Sequence, residues 1–296
     1  MAIFNTIYQQ FFANQQILSP GLFVVATPIG NLADITLRAL YVLQNADIII
    51  CEDTKKSMQM LNFFHITGKK TITYNDHSDQ QIRDKIDQLL ANNNIVALIS
   101  DAGTPLISDP GYKLIKFLQQ KQHKIYTVPG CSAITSALSI AGISCDKFLF
   151  VGFLPNTATA KITFLQDLPI NYSIICFETA QRLPETLEII NQYLGNRFLA
   201  VAKELTKIHE QIISGSAIDV LAFFANNPDK IKGEMVLLLE KPQQQPDQTA
   251  QILSDIAKYL PTTSSKDLAI QLAGKFAVSK KIIYQLILQY NSNENS

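Results

Sequence analysis

Two stiff turns, TPIGN (27–31) and SDAGTPLISDPG (100–111), constrain the fold of this chain more than any other feature. Each follows a β-rich apolar run, LFVVA (22–26) and NIVALI (94–99). An α/β sheet places small, polar, Gly- and Pro-bearing turns at the carboxyl edge of its strands, where ligands sit. Pro28 fixes one φ angle, and Gly30 allows a ligand to approach the backbone closely. The longer turn carries Asp101, Thr104, Ser108 and Asp109 as polar groups, with two prolines and two glycines, in twelve positions. A mere connector needs no such stiffness, so both turns are read as lining one pocket. VPGCSA (128–133) repeats the design: a strand, a turn, then a helix whose first amides face a ligand.

The rest of the chain alternates strand and helix patterns. Strands are predicted at 22–26, 46–52, 71–75, 94–99 and 124–130. Helices are predicted at 34–43 with Asp34 as cap, at 55–64, at 78–93 and at 111–120. The helix at 78–93 is opened by Ser78 with Gln81 three residues on, a capping-box spacing. This alternation predicts a mostly parallel sheet covered by helices. A small-residue helix follows at 131–142, then strands at 147–153, 172–178, 197–205 and 234–240, with helices at 184–194 and 217–226. That is a second α/β domain with a mixed sheet. KPQQQPDQ (241–248) is a linker. Beyond it, helices at 264–276 and 279–290 meet at a turn near Ala277 and Val278, a helix-turn-helix-like pair. The expected organisation is an N-terminal extension (1–20), an N-terminal α/β domain (21–130), a C-terminal α/β domain (131–242), and a linker with a helical module (243–296).

Composition narrows the function classes. With 25 basic and 25 acidic side chains, overall charge says nothing about nucleic acid, so a basic footprint has to be local. The first basic residue is Arg38, and no apolar run approaches the roughly 18 residues a bilayer span needs. No targeting peptide and no membrane role are expected. Cys51, Cys131, Cys145 and Cys176 form no CxxC pair, which predicts isolated core thiols in a reduced, cytoplasmic protein. His65, His77, His123 and His209 lack paired spacing, so no metal site is expected. No two glycines are two apart, which removes dinucleotide fingerprints and the glycine loop of the commonest methyltransferase fold. Walker loops and GxSxG elbows are absent as well.

Seven ordered blocks then carry a resemblance: LFVVATPIGNLADITLRAL, CEDTKKS, LISDAGTPLISDPGY, VPGCSA, CFETAQRL, AKELTKIHEQIISG and KGEMVLLLE. Together, over about 22–240, they resemble the ribosomal RNA small subunit methyltransferase I family of the tetrapyrrole-methylase fold class, and the tail after Asp247 resembles that family's helical module. The resemblance implies two α/β domains with a cofactor cleft between them, S-adenosylmethionine as cofactor, and a homodimer. It also implies 2′-O-methylation of a cytidine in 16S ribosomal RNA. Matched motif by motif, it assigns cofactor contacts to Pro28, Ile29, Gly30, Gly103, Thr104, Ile107, Ser132, Ala133, Glu178 and Leu205. One departure stands out. Cys131 replaces a proline usual in that family, which predicts a softer turn.

Methylating a ribose hydroxyl requires alignment and a route for its proton. Lys203 and Glu204 of KELT are the expected catalytic pair, with Glu178, Arg182, Asp101 and His77 as further candidates at strand ends. RNA phosphates need cations, and Lys55-Lys56, Lys69-Lys70, Lys230-Lys232 and Lys280-Lys281 are the local clusters. The last pair makes the C-terminal module a candidate RNA-holding arm. Alternatives are a tetrapyrrole C-methyltransferase of the same fold and a noncatalytic ribosome-associated RNA-binding protein.

Overall fold

The computed structural model describes residues 18–75, 77–195, 197–242, 249–276 and 278–294. The extension before residue 18, linker residues 243–248 and Ala277 at the expected turn lie outside the described residues. The chain divides into two compact units, Met1–Ala133 and Ile134–Ser296.

In the first unit, strands β1 (Gly21–Val25), β2 (Ile48–Cys51), β3 (Lys70–Thr73), β4 (Ile95–Leu98) and β5 (Ile125–Val128) form one sheet in the order β3-β2-β4-β1-β5. Every pairing is parallel, as the βα alternation predicts. Helices α1 (Leu37–Asn45), α2 (Thr54–Phe63), α3 (Gln80–Ala91) and α4 (Tyr112–Gln120) connect the strands. Strand residues are buried on both faces. Phe23, Val25, Ile49 and Ala97 pack with Leu43 of α1 and Leu61 of α2, while Leu22, Ile50, Val96 and Leu98 pack with Ile86 of α3 and Leu114 and Leu118 of α4. The two-residue period of a strand therefore feeds two separate cores, one under each helical layer.

Local chemistry sets the helix starts. Thr36, not Asp34, caps α1, its hydroxyl accepting from Ala39 N at 3.0 Å; Asp34 ends a short 3-10 turn, Leu32–Asp34. Asp79, not Ser78, caps α3, its carboxylate accepting from Ile82 N at 3.0 Å. The Ser78 hydroxyl is already engaged one turn earlier, accepting from Asn75 N at 2.9 Å. Asp79→Ala is therefore expected to cost about 1 kcal/mol of stability. Ser78→Ala should cost less, and urea unfolding midpoints of the two variants test the order.

The second unit begins within α5 (Ala133–Ile140). Its sheet comprises β6 (Phe148–Phe153), β7 (Ser173–Thr179), β8 (Leu199–Lys203), β9 (Gln211–Gly215) and β10 (Glu234–Leu239), in the order β6-β7-β10-β8-β9. β6 and β7 are parallel and the other pairs antiparallel, so the sheet is mixed. Helices α6 (Ala158–Gln166), α7 (Leu183–Leu194) and α8 (Ala217–Asn226) accompany it. Sequence patterning missed α6 and β9. The buried side of α6 holds Lys161 beside Leu165, which breaks its apolar stripe, and β9 is a sheet-edge strand with one buried residue, Ile213. Helices α9 (Thr249–Tyr259), α10 (Ser265–Phe276) and α11 (Lys280–Glu294) form the C-terminal module around Ile256, Leu268, Leu272, Ile283 and Ile287. Among the described residues no helix is long and apolar enough to cross a membrane.

All four cysteines are free, but only Cys51 and Cys176 are core residues; Cys131 is half-buried and Cys145 exposed. The expectation of four core thiols thus holds for two.

Candidate active site

The carboxyl ends of β1, β4 and β5 adjoin because β1 lies between the other two strands. Thr27 N donates to Gly103 O at 2.8 Å and Gly103 N donates back to Thr27 O at 2.9 Å, an isolated antiparallel bridge. This reciprocal pair fastens TPIGN to the DAGTP turn. The buried Thr27 hydroxyl adds a bond to Ser100 O at 3.3 Å. The third turn joins through Thr104, whose Oγ1 donates to Cys131 O at 3.0 Å.

Cys131 adds a tie of its own to this turn. Its Sγ donates to Asp34 O at 3.2 Å, so a thiol hydrogen bond ties the turn where a proline ring would stiffen it. Burial, then the nearby Asp34 charge, pushes the thiol pKa up, which keeps it a neutral donor.

Small residues let these turns close together. Gly103 has φ +78°, and a Cβ there would lie 3.3 Å from Ile29 Cγ2. A Cβ on Gly130 would come within 3.0 Å of Ala26 Cβ. Farther along the long turn, Leu106 (φ 73°) and Ser108 (φ 63°) adopt the left-handed conformation without being glycine. Such residues cost on the order of 1 kcal/mol each and concentrate where function requires a particular shape. Ile107, between them, is exposed.

Asp101 is a fastener. Its Oδ2 accepts from Lys56 Nζ at 2.7 Å and its Oδ1 from Asp53 N at 3.3 Å, which links the loop after β4 to the start of α2. Asp53 caps that helix, accepting from Lys55 N at 2.8 Å and Lys56 N at 3.2 Å. Those backbone bonds, Lys56 first, hold its carboxyl below the ordinary carboxylate range, and the hydrogen bond to Asp101 holds the Lys56 ammonium above the lysine range. His77 is exposed in the turn after β3, its N–H donating to Asn75 Oδ1 at 2.9 Å.

In the second unit, β8 ends at Lys203, which is 6% exposed. Among the described residues its ammonium has no hydrogen-bond or ion-pair partner. The loop that follows is strained twice, at Glu204 (φ 51°) and at the β-branched Thr206 (φ 65°). Glu204 Oε1 accepts from Lys207 Nζ at 2.9 Å, Thr206 N donates to Glu210 Oε2 at 2.6 Å, and Leu205 is buried. The buried Thr206 Oγ1 has no partner among the described residues. A hydroxyl so enclosed is ordinarily satisfied, so the orphaned Thr206 Oγ1, three positions after Lys203, singles out this loop.

Glu178, at the end of β7, is fully buried. Its Oε1 pairs with Arg182 Nη2 at 2.6 Å and accepts from Thr179 N at 2.8 Å. Its Oε2 accepts from Thr186 Oγ1 at 2.8 Å, and Thr186 in turn accepts from the buried Lys161 Nζ at 2.8 Å. Lys161 also reaches Glu185 Oε2 at 3.0 Å, and Arg182 donates to Leu154 O and Asn156 Oδ1. The i, i+4 spacing of Glu178 and Arg182 does form a pair, in the interior and not on a solvated face. Burial, reinforced by the Glu178 charge, pushes the neighbouring Cys176 thiol pKa far up.

Three participants were not among the sequence candidates: Thr206, Lys161 and Thr186. A lone lysine in the apolar run ATAKITFLQ is the one trace any of them leaves in sequence. Of the lysine clusters, Lys56 is spent on Asp101, Lys69 caps α1 through Gln44 O and Ala46 O, and Lys230 stacks over Phe223.

A two-unit α/β chain with such a turn cluster falls into a defined class. The family model described as Tetrapyrrole (Corrin/Porphyrin) Methylases matches residues 21–221. Solved structures share the fold: a cobalt precorrin-4 methyltransferase (TM-score 0.55, 17% identity, 74% of this chain and 94% of that one) and a diphthine synthase (TM-score 0.56, 14% identity, 74% and 90%). Within the class, this chain is 44% identical over 279 residues to the ribosomal RNA small subunit methyltransferase I of Rickettsia prowazekii (strain Madrid E), covering 92% of this chain and 97% of that protein. Its namesake in Neisseria meningitidis serogroup A is 37% identical over 286 residues, covering 95% and 97%. The chain belongs to the ribosomal RNA small subunit methyltransferase I family.

Proposed function

We propose that this chain methylates the 2′-hydroxyl of a cytidine ribose in 16S ribosomal RNA of the small subunit, with S-adenosylmethionine as methyl donor. It works in the cytoplasm as a homodimer. The observation that carries the reading is the reciprocal Thr27–Gly103 backbone pair. It makes a single cradle of small residues from turns distant in sequence, and it does so without a Gly-x-Gly loop. Glycine at the point of closest approach and the apolar flanks of Ile29 and Ile107 suit an amphipathic nucleoside.

The proposed cofactor contacts are Pro28, Ile29, Gly30, Gly103, Thr104, Ile107, Ser132 and Ala133 in the first unit, and Glu178 and Leu205 in the second. S-adenosylmethionine, when bound, supplies an electrophilic methyl group on a cationic sulfur. The protein's part is to align the ribose hydroxyl and manage its charge and proton. Lys203, its side chain largely buried and its ammonium unpaired among the described residues, offers a positive charge where the ribose oxygen turns negative. Glu204, held by Lys207, is the proton acceptor. The network around Glu178 keeps the end of β7 in place.

Two measurements test this. Small subunits from cells lacking the protein, given labelled cofactor and the purified chain, should acquire label on one ribose; label on a base, or no label, refutes the reaction. Gly103→Ala should weaken cofactor binding at least tenfold by calorimetry, because a Cβ there strains a left-handed residue and presses on Ile29. Gly68→Ala is the control: Gly68 also has positive φ (+70°), but its Cβ would meet nothing within 4 Å. Cofactor affinity in Gly68→Ala should match the parent.

A further inference from the structure

A cleft in the second unit belongs to none of the sites above. Gln166, Gln192 and Arg197 line it on the side of the α/β sheet, and Gly274, Ser279 and Lys280 on the side of the C-terminal module. The two sides approach through glycines: a Cβ on Gly195, the left-handed cap ending α7, would lie 3.4 Å from Gly274 O.

Arg197 is the unusual member. It is 8% exposed, and both Nε and Nη2 donate to one carbonyl, Glu240 O, at 2.9 and 2.6 Å. Among the described residues Nη1 has no partner and no carboxylate pairs with the guanidinium. Burial pulls its pKa down to about 10, against the opposing Glu240 charge. A cation so far removed from water is costly without an anion beside it. Lys280 brings a second positive charge to the cleft. It is also the first residue of α11, whose N-terminal end, opened by Ser279 Oγ accepting from Ile282 N at 3.3 Å, adds the positive end of a helix. Among the described residues no Asp or Glu lines the cleft. A buried guanidinium, an ammonium and a helix N-terminus, with the Glu240 carboxylate near the guanidinium but outside the lining, form a site for a phosphate group.

We propose that this cleft holds a backbone phosphate of the RNA substrate and so anchors the nucleic acid to the C-terminal module; this rests on the RNA reading above. The test uses the full-length protein and Lys280→Gln, with affinity for small-subunit RNA measured across a salt series. Losing one phosphate contact should make the slope of log K against log salt shallower by about 0.7–0.9 and lower affinity several-fold at moderate salt. S-adenosylmethionine affinity should be unchanged. Lys281→Gln, the same charge change one residue outside the cleft lining, should move the slope less. Equal slopes in parent and Lys280→Gln, or equal losses in Lys280→Gln and Lys281→Gln, overturn the proposal. Inorganic phosphate that raises the parent's unfolding temperature, but not that of Lys280→Gln, with RNA slopes unmoved, makes the cleft a free-anion site and overturns the RNA assignment. Ribose methylation by the parent is followed in the same samples. If it fails while the slope change persists, the assigned reaction falls and the phosphate site stands.

Discussion

Lys203→Met is expected to slow methyl transfer by about 10²- to 10³-fold while raising the stability of the protein. The two effects have one cause. Lys203 is 6% exposed as a residue, and holding an ammonium unpaired among the described residues at the end of so buried a stem costs folding energy that a methionine does not. Removing it should add on the order of 1 kcal/mol to the unfolding free energy. The same charge is what the proposed reaction uses, because a cation held in a fixed place by a buried stem needs no reorganisation when negative charge develops beside it. Cofactor affinity should change little, since Lys203 is not among the proposed cofactor contacts. Single-turnover rates, urea midpoints and cofactor calorimetry on one preparation decide it. A purely structural lysine would give the opposite pattern, with a lower midpoint and normal turnover, and that result would remove Lys203 from the mechanism.

Glu178→Ala is expected to destabilise the protein by about 3–5 kcal/mol, the cost of leaving buried cations without their carboxylate. Lys161 is fully buried, and its hydrogen bond to Thr186 leads directly to Glu178. Arg182 loses its 2.6 Å ion pair, and its Nε is already buried without a partner among the described residues. A double-mutant cycle with Arg182→Met separates the pair from simple cavity formation. Once the guanidinium is gone, removing Glu178 should cost at least 1 kcal/mol less than in the parent background. A Glu178→Ala protein that unfolds within 1 kcal/mol of the parent would show that the network contributes no net stability.

Much of the fold is legible in sequence because it rests on short-range rules. The runs LFVVA and NIVALI become β1 and β4, with boundaries shifted by a residue or so, and the turns after them stand at the carboxyl edge as the βα alternation requires. With no Gly-x-Gly spacing in the sequence, TPIGN and DAGTP are the stiff strand-end turns it offers, and the structure joins them through Thr27 and Gly103. Errors fall where local rules are ambiguous. Ser78 and Asp79 are both competent caps, and only the prior claim of Asn75 N on the Ser78 hydroxyl decides between them. Helix α6 escaped notice because Lys161 faces inward, and a lysine does so only when partners such as Glu185 and Thr186, distant in sequence, wait for it. The positive φ angles of Leu106, Ser108, Glu204 and Thr206 leave no mark in residue type, since none of the four is a residue that favours them strongly.

Taken alone, the order of residues determined the strand and helix pattern, the stiff turns at strand ends and the membership of a methyltransferase family, because these depend on neighbours a few positions apart or on motifs in series. Only the tertiary structure decided that Thr27 and Gly103 share two hydrogen bonds, that Glu178 sits in a closed ionic network, and that Lys203 has a buried side chain whose ammonium finds no partner among the described residues. Each depends on which distant segments exclude water from a group and which offer it a partner, and chain folding alone sets those conditions.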